Sequence, residues 1–110
     1  NMDMVGRLKA DSTLAVYGVG TSPIFKQTIS SNNSNFKLIQ KESGIGPSDH
    51  TSFYNADIPV LHFFTGQHED YHKPSDDAHL INYEGEKVVA DLVYDIAYEI
   101  ANMNDALVYQ

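Results

Sequence analysis

The stretch "GQHEDYHKPSDD", residues 66–77, gathers two histidines, a tyrosine and four acids directly behind the apolar run "IPVLHFFTG". A solvated loop tolerates that density of titratable groups, whereas a metal site requires it. His72 stands apart from its neighbours. It follows the carboxyl end of a strand-like run, where open α/β sheets place their ligand sites, and Tyr71 and Pro74 stiffen the backbone around it. Far upstream, Asp3 sits in "NMDMVGR" between two methionines. A carboxylate beside apolar residues is most often a cap or a turn residue. In apolar surroundings it needs a counter-charge, and a metal ion is one. Imidazole nitrogen with carboxylate oxygen is a donor set that suits zinc. A catalytic zinc takes about three protein ligands and a two-metal site about five, so spacing alone offers half a site.

The other histidines have plainer readings. His62 falls inside the apolar run and reads as a packed, hydrogen-bonded core residue. His79, in "DDAHLIN", reads as a surface or capping residue, and His68 reads either way, with a solvated loop favoured over a packed position. His50 falls in the first turn of a short helix, where it can line a pocket. The contiguous Ser48, Asp49 and His50 do not make a nucleophile triad, because neighbours at a helix start cannot converge on one proton path. "GVGTSP" and "GIGPSD" match neither the dinucleotide fingerprint nor the phosphate loop with its lysine, and they read as turns.

These residues need a scaffold. "TLAVYGV" (13–19) reads as a buried strand, and Pro23 opens a helix carrying Ile24, Phe25 and Ile29. "FKLIQ" alternates as a half-exposed strand. A short helix is expected from Ser48, its N-cap, with Phe53 and Tyr54 packed inward. "IPVLHFF" (58–64) is the expected central strand, covered on both faces, with Pro59 near its start. From Tyr83 to about Met103, Val88, Val89, Leu92, Val93, Ile96, Ala97 and Ile100 form a helical stripe; Asn82 caps it and Glu84 and Glu86 favour its positive end. Strands alternating with helices give an α/β layer fold with a mixed, largely parallel sheet.

Composition narrows the function. The chain has 110 residues, ordinary apolar content and no cysteine, which excludes disulfides and thiolate zinc sites. The net charge of −8 is uneven. Residues 1–47 carry five basic and three acidic side chains, and residues 48–110 carry two basic and twelve acidic. An acidic surface of that kind repels phosphate backbones, so nucleic acid is not an expected partner. No stretch approaches the roughly 18 apolar residues of a membrane span. The opening "NMDMVGRL" has neither an initiator Met at position 1 nor a signal peptide, so the chain is expected to be cut from something longer.

Taken together and in order, "NMDMVGRL", "GPSDHTSFYNADIPVLHFFTG" and "DYHKPSDD…INYEG" resemble the carboxyl-terminal half of a co-catalytic di-zinc aminopeptidase. That family includes aminopeptidase Y and the bacterial leucyl aminopeptidases, with glutamate carboxypeptidase II as a relative. The resemblance runs from Asn1 to about Ala101. It implies a three-layer sandwich with a mixed sheet between helices, and two zinc ions at the sheet's carboxyl edge. They are held by a His, a bridging Asp, a Glu, a second Asp and a final His, with a further Glu as general base. Asp3 matches the second Asp and His72 the final His, on different zincs. Tyr71 matches a tyrosine that hydrogen-bonds the tetrahedral intermediate. Ser48 and Asp49 match the "SD" of a helix start, read as pocket wall or as support for the ligands, and His50 beside them is a pocket candidate by position. Asp76 and Asp77 are available to orient His72 through its second nitrogen.

The first His, the bridging Asp, the ligand Glu and the base Glu find no counterpart here, so the chain alone is expected to be inactive and prone to self-association. The resemblance implies a peptide substrate with a free amino terminus and an exported parent protein. It further implies that Asp3 and His72 converge, with ligating atoms within roughly 8 Å. A carboxypeptidase, a glutaminyl cyclase relative, or a non-catalytic receptor-like binding domain would share these motifs.

Overall fold

The computed structural model describes residues 1–110. Three strands build its sheet: β1 (Thr13–Tyr17), β2 (Lys37–Lys41) and β3 (His62–Phe64), in the order β2-β1-β3. β1 and β2 run parallel, joined by helix α1 (Phe25–Asn32), and β3 runs antiparallel to β1. Two further helices follow, α2 (His50–Tyr54) and α3 (Tyr83–Ala101), with a short 3-10 turn at Ala78–Leu80 before α3. Mixed sheet and flanking helices are the α/β architecture expected.

Alternation along β1 sorts the two faces of the sheet. Leu14 and Val16 point one way and are fully buried, together with Phe25 and Ile29 of α1, Phe63 of β3, and Val89, Leu92 and Ile96 of α3. α1 and α3 therefore pack on the same face and against each other. The stripe of α3 is thus the stripe expected except for Ala97, which is exposed. Its cap is also in place, since the Asn82 side chain accepts from Gly85 N at 3.0 Å, with Glu84 and Glu86 in the first turn. The opposite face carries Tyr17, Ile39, His62 and Phe64. Only His62 is fully covered there, by His50 of α2.

The run 58–64 departs from expectation. Only His62–Phe64 is strand, and β1, not β3, is the middle of the sheet. The reason is where the backbone polar groups of residues 58–61 go. Ile58 N–H closes α2 on Phe53 O, Pro59 has no N–H, and Val60 bonds through both its N–H and its carbonyl to the buried Thr21 hydroxyl. Leu61 O accepts from the Asn1 ammonium. The groups that a longer ladder would need at Val60 and Leu61 O are thus taken elsewhere. β3 is nonetheless no bare edge, because its outer side takes a parallel bridge between Met2 and Phe63. That bridge brings the segment containing Asp3 onto the sheet. Gly18, at φ +85° with Val60 O 2.3 Å from where a Cβ would stand, makes the turn that lets residue 60 approach β1.

The short helix also starts differently. Asp49, not Ser48, occupies the cap position of α2, and it makes no side-chain capping bond. Phe53 points outward and is 57% exposed.

Candidate functional site

Asp3 reaches the site through the amino-terminal segment's pairing with β3: Asp3 N–H donates to Phe63 O at 3.3 Å and Phe63 N–H to Asn1 O at 3.0 Å. Its carboxylate is exposed and accepts one hydrogen bond, from Ser48 Oγ to Oδ2 at 2.8 Å. This is why Ser48 does not cap α2. The Asn1 amide extends the chain of contacts, donating to Ser48 Oγ at 2.9 Å and lying 3.1 Å from His62 Nδ1. The next residue, Met4, has φ +55°, a left-handed conformation uncommon for a side-chain-bearing residue. Thr65 fixes that turn, donating to Met4 O through both its hydroxyl (2.6 Å) and its N–H (3.2 Å).

His72 lies in the loop that leaves β3. It is exposed, its own φ is +55°, and its ring stands edge-on to Tyr71 with centroids 3.9 Å apart. Neither its ring nor the Tyr71 hydroxyl is hydrogen-bonded within the chain, so both are free to meet a ligand. Asp3, Tyr71 and His72 line one open cavity of about 520 Å³. The fold therefore draws the two ligand candidates to one place across 69 positions of sequence (72 − 3). They fit zinc in kind, a carboxylate oxygen and an imidazole nitrogen, but not in number. Nowhere in the chain do three or more His, Cys, Asp or Glu side chains cluster to hold a metal ion.

Asp76 and Asp77 do not orient His72. Asp76 is taken by Arg7, whose Nη2 donates to Oδ1 at 2.8 Å, and its other oxygen is 3.9 Å from His68 Nε2. Asp77 stands before the 3-10 turn without a side-chain hydrogen bond. Arg7 also donates through Nη1 to Asp70 at 3.1 Å. A planar guanidinium offers two donors in a fixed fork, and two carboxylates on one loop fill it. The Ser75 hydroxyl, then Arg7, hold the Asp70 carboxyl below the usual carboxylate range. Sequence reading missed Arg7. The only signal was a cation four residues after Asp3 and an acid excess in the loop.

His50 and His62 form the back wall. Their rings stack in parallel, centroids 4.4 Å apart and 7° from coplanar, and a small cavity beside them is shared with Asp3 and Tyr71. Burial, and then the neighbouring His50, push His62 down to about 4; burial also lowers His50. Both are neutral at pH 7. Both ring nitrogens of His50 are buried without a partner. His62 is the packed residue expected, His50 borders the pocket, and His79 is exposed.

A model of peptidase family M28 matches residues 1–97 of this geometry's sequence. The chain belongs to that family. Solved structures agree on the fold. The LapA aminopeptidase of Legionella pneumophila superposes with a TM-score of 0.76 at 24% identity, over 94% of this chain and 30% of that one. BSAP, a zinc aminopeptidase from Bacillus subtilis, gives 0.72 at 28%, over 90% and 27%. The aminopeptidase of Aneurinibacillus sp. strain AM-1 gives 0.67 at 29%, over 99% and 25%. The M28 chain thus spans roughly a third or less of the structures it matches. A search of the curated proteins found no match.

Proposed function

We propose that the protein carrying this M28 chain is a zinc aminopeptidase, to which these residues contribute one ligand for each of two metals and one oxyanion donor. The observation that carries the reading is the meeting of Asp3, Tyr71 and His72 at one open cavity, in a fold shared with three aminopeptidases. Asp3 and His72 would hold zinc, completed by ligands this chain does not contain. Zinc, when held, supplies Lewis acidity at the scissile carbonyl.

The remaining chemistry is this chain's own. Ser48 fixes one Asp3 oxygen by donation and leaves the other open. Tyr71, unbonded within the chain, donates its hydroxyl to the charge developing on the substrate carbonyl oxygen. Losing one such donor costs about 10²–10³ in rate. The neutral His50–His62 stack walls the site without adding charge that would repel a substrate ammonium.

The test is an assay of the full-length protein on leucyl-anilide and on peptides with free or acetylated amino termini, with zinc added or chelated. Zinc-dependent release of apolar residues from free amino termini only, abolished by His72→Ala, is expected. Cleavage from the carboxyl end, or cyclisation of amino-terminal glutamine, would replace the reading with its enzymatic alternatives. Peptide binding without turnover would make the protein a receptor-like relative.

A further inference from the structure

Residues 66–76 carry Tyr71 and His72, yet few hydrogen bonds tie them to the rest of the molecule. The loop's backbone hydrogen bonds are internal: Tyr71 N–H to His68 O, Lys73 N–H to Asp70 O, and Asp76 N–H to Lys73 O. The Ser75 hydroxyl donates to Asp70, again within the loop, at 2.7 Å. Apart from the adjoining turn, where Asp77 N–H donates to Ser75 O at 2.9 Å, the hydrogen bonds joining residues 66–76 to the rest of the molecule are the two from Arg7. Their acceptors, Asp70 and Asp76, stand on either side of the Tyr71–His72 pair. The fork therefore closes the loop around the residues that meet the ligand.

The anchor itself is firm. Asn82, the cap of α3, donates to the carbonyls on both sides of Arg7, through its N–H to Gly6 O at 2.8 Å and through Nδ2 to Leu8 O at 3.0 Å. Arg7 N–H faces the Thr65 hydroxyl at 3.4 Å. The guanidinium is thus built on the start of the longest helix and the end of β3. His72 meanwhile sits at φ +55°, a conformation that persists in a side-chain-bearing residue only when its surroundings impose it.

We infer that Arg7 is a positioning residue of the site: by bridging Asp70 and Asp76 it sets where Tyr71 and His72 stand relative to Asp3. Its guanidinium is engaged by the two loop carboxylates, so it acts through the loop. The segment that carries Asp3 also carries Arg7, four residues on, so one stretch of backbone supplies a ligand candidate and locates its counterpart. The inference rests on the zinc-aminopeptidase reading for its consequence, but not for its geometry.

The experiment uses the full-length protein, comparing Arg7→Met, which keeps the apolar stem, with Arg7→Lys, which keeps a point charge. Steady-state kinetics, zinc affinity by chelator competition, and amide exchange of residues 66–76 are measured on each. Misplacing catalytic groups by about 1 Å costs on the order of 10² in rate. For Arg7→Met we expect kcat to fall by about that factor with KM within about threefold. The weaker zinc site should lose about 10–100-fold in affinity, as for a lost outer partner of a ligand. Exchange in 66–76 should rise, and Arg7→Lys should fall between. Unchanged exchange in Arg7→Met overturns the clamp. Faster exchange with kcat and zinc affinity within twofold of wild type overturns the positioning role. A wild-type protein without peptidase activity overturns the functional reading alone, and the exchange comparison still decides the clamp.

Discussion

Ser48→Ala isolates the smallest part of the site. The Ser48 hydroxyl is the only group that hydrogen-bonds the Asp3 carboxylate, at 2.8 Å, and it is itself held by Asn1 at 2.9 Å. Removing it leaves Asp3 exposed and free to rotate about its side-chain torsions. A zinc ion would then have to order that carboxylate on binding. Loss of an outer partner of a metal ligand costs about 10–100-fold in affinity. Asp3 is exposed, so water replaces part of the lost bond and the lower end applies: about tenfold, or about 1.4 kcal/mol. Folding stability should move by no more than about 0.5 kcal/mol, as for a surface change. The assay is chelator competition for zinc on the full-length protein, with Ser48→Thr as the hydroxyl-retaining control and Asp3→Asn as the reference loss. Binding within twofold of wild type in Ser48→Ala, while Asp3→Asn loses a site, would refute the orienting role. An Asp3→Asn protein that keeps both zincs would remove Asp3 from the site altogether.

Other predictions follow from single contacts. Thr21→Val leaves the buried Val60 N–H without its acceptor, costing about 1–3 kcal/mol in urea unfolding, whereas Thr21→Ser keeps the bond and most of the stability. Below pH 6.5 the unfolded chain takes up a proton that buried His62 refuses until about pH 4, so stability is full at pH 7 and falls across that window. The shift corresponds to at most about 3 kcal/mol, reduced to about 1–2 where solvent screens the ring, and His62→Phe should flatten the pH dependence of the unfolding free energy. Residues 1–110 alone should show no aminopeptidase activity with added zinc, because one Asp and one His hold the metal weakly. They should self-associate in sedimentation through the sheet face bearing Ile39 and Phe64. A monomeric chain with His72-dependent turnover would contradict both.

What could be read from the sequence was what the chain settles within a turn or two. The stripe of α3, its Asn82 cap and the acids of its first turn all lie within a few residues of one another, and each appears as read. The run 58–64 misled because apolar composition records burial and not pairing; Thr21 and Asn1, distant in sequence, had taken the polar groups a strand would use. The site shows the same divide. Local setting offered only Asp3 and His72 as donors, and a resemblance over the whole chain was needed to add a role for Tyr71 and to assign the two donors to different zincs. Nothing local tied Asp70 and Asp76 to Arg7 among twelve acids in residues 48–110. The acids that follow the apolar run therefore need a third explanation beside solvation and metal binding. Asp70 and Asp76 bind a cation that belongs to the protein itself. A loop whose other hydrogen bonds are all internal or to the next turn gains a fixed position through such a partner. In this molecule that partner is Arg7, built into the segment that also presents Asp3.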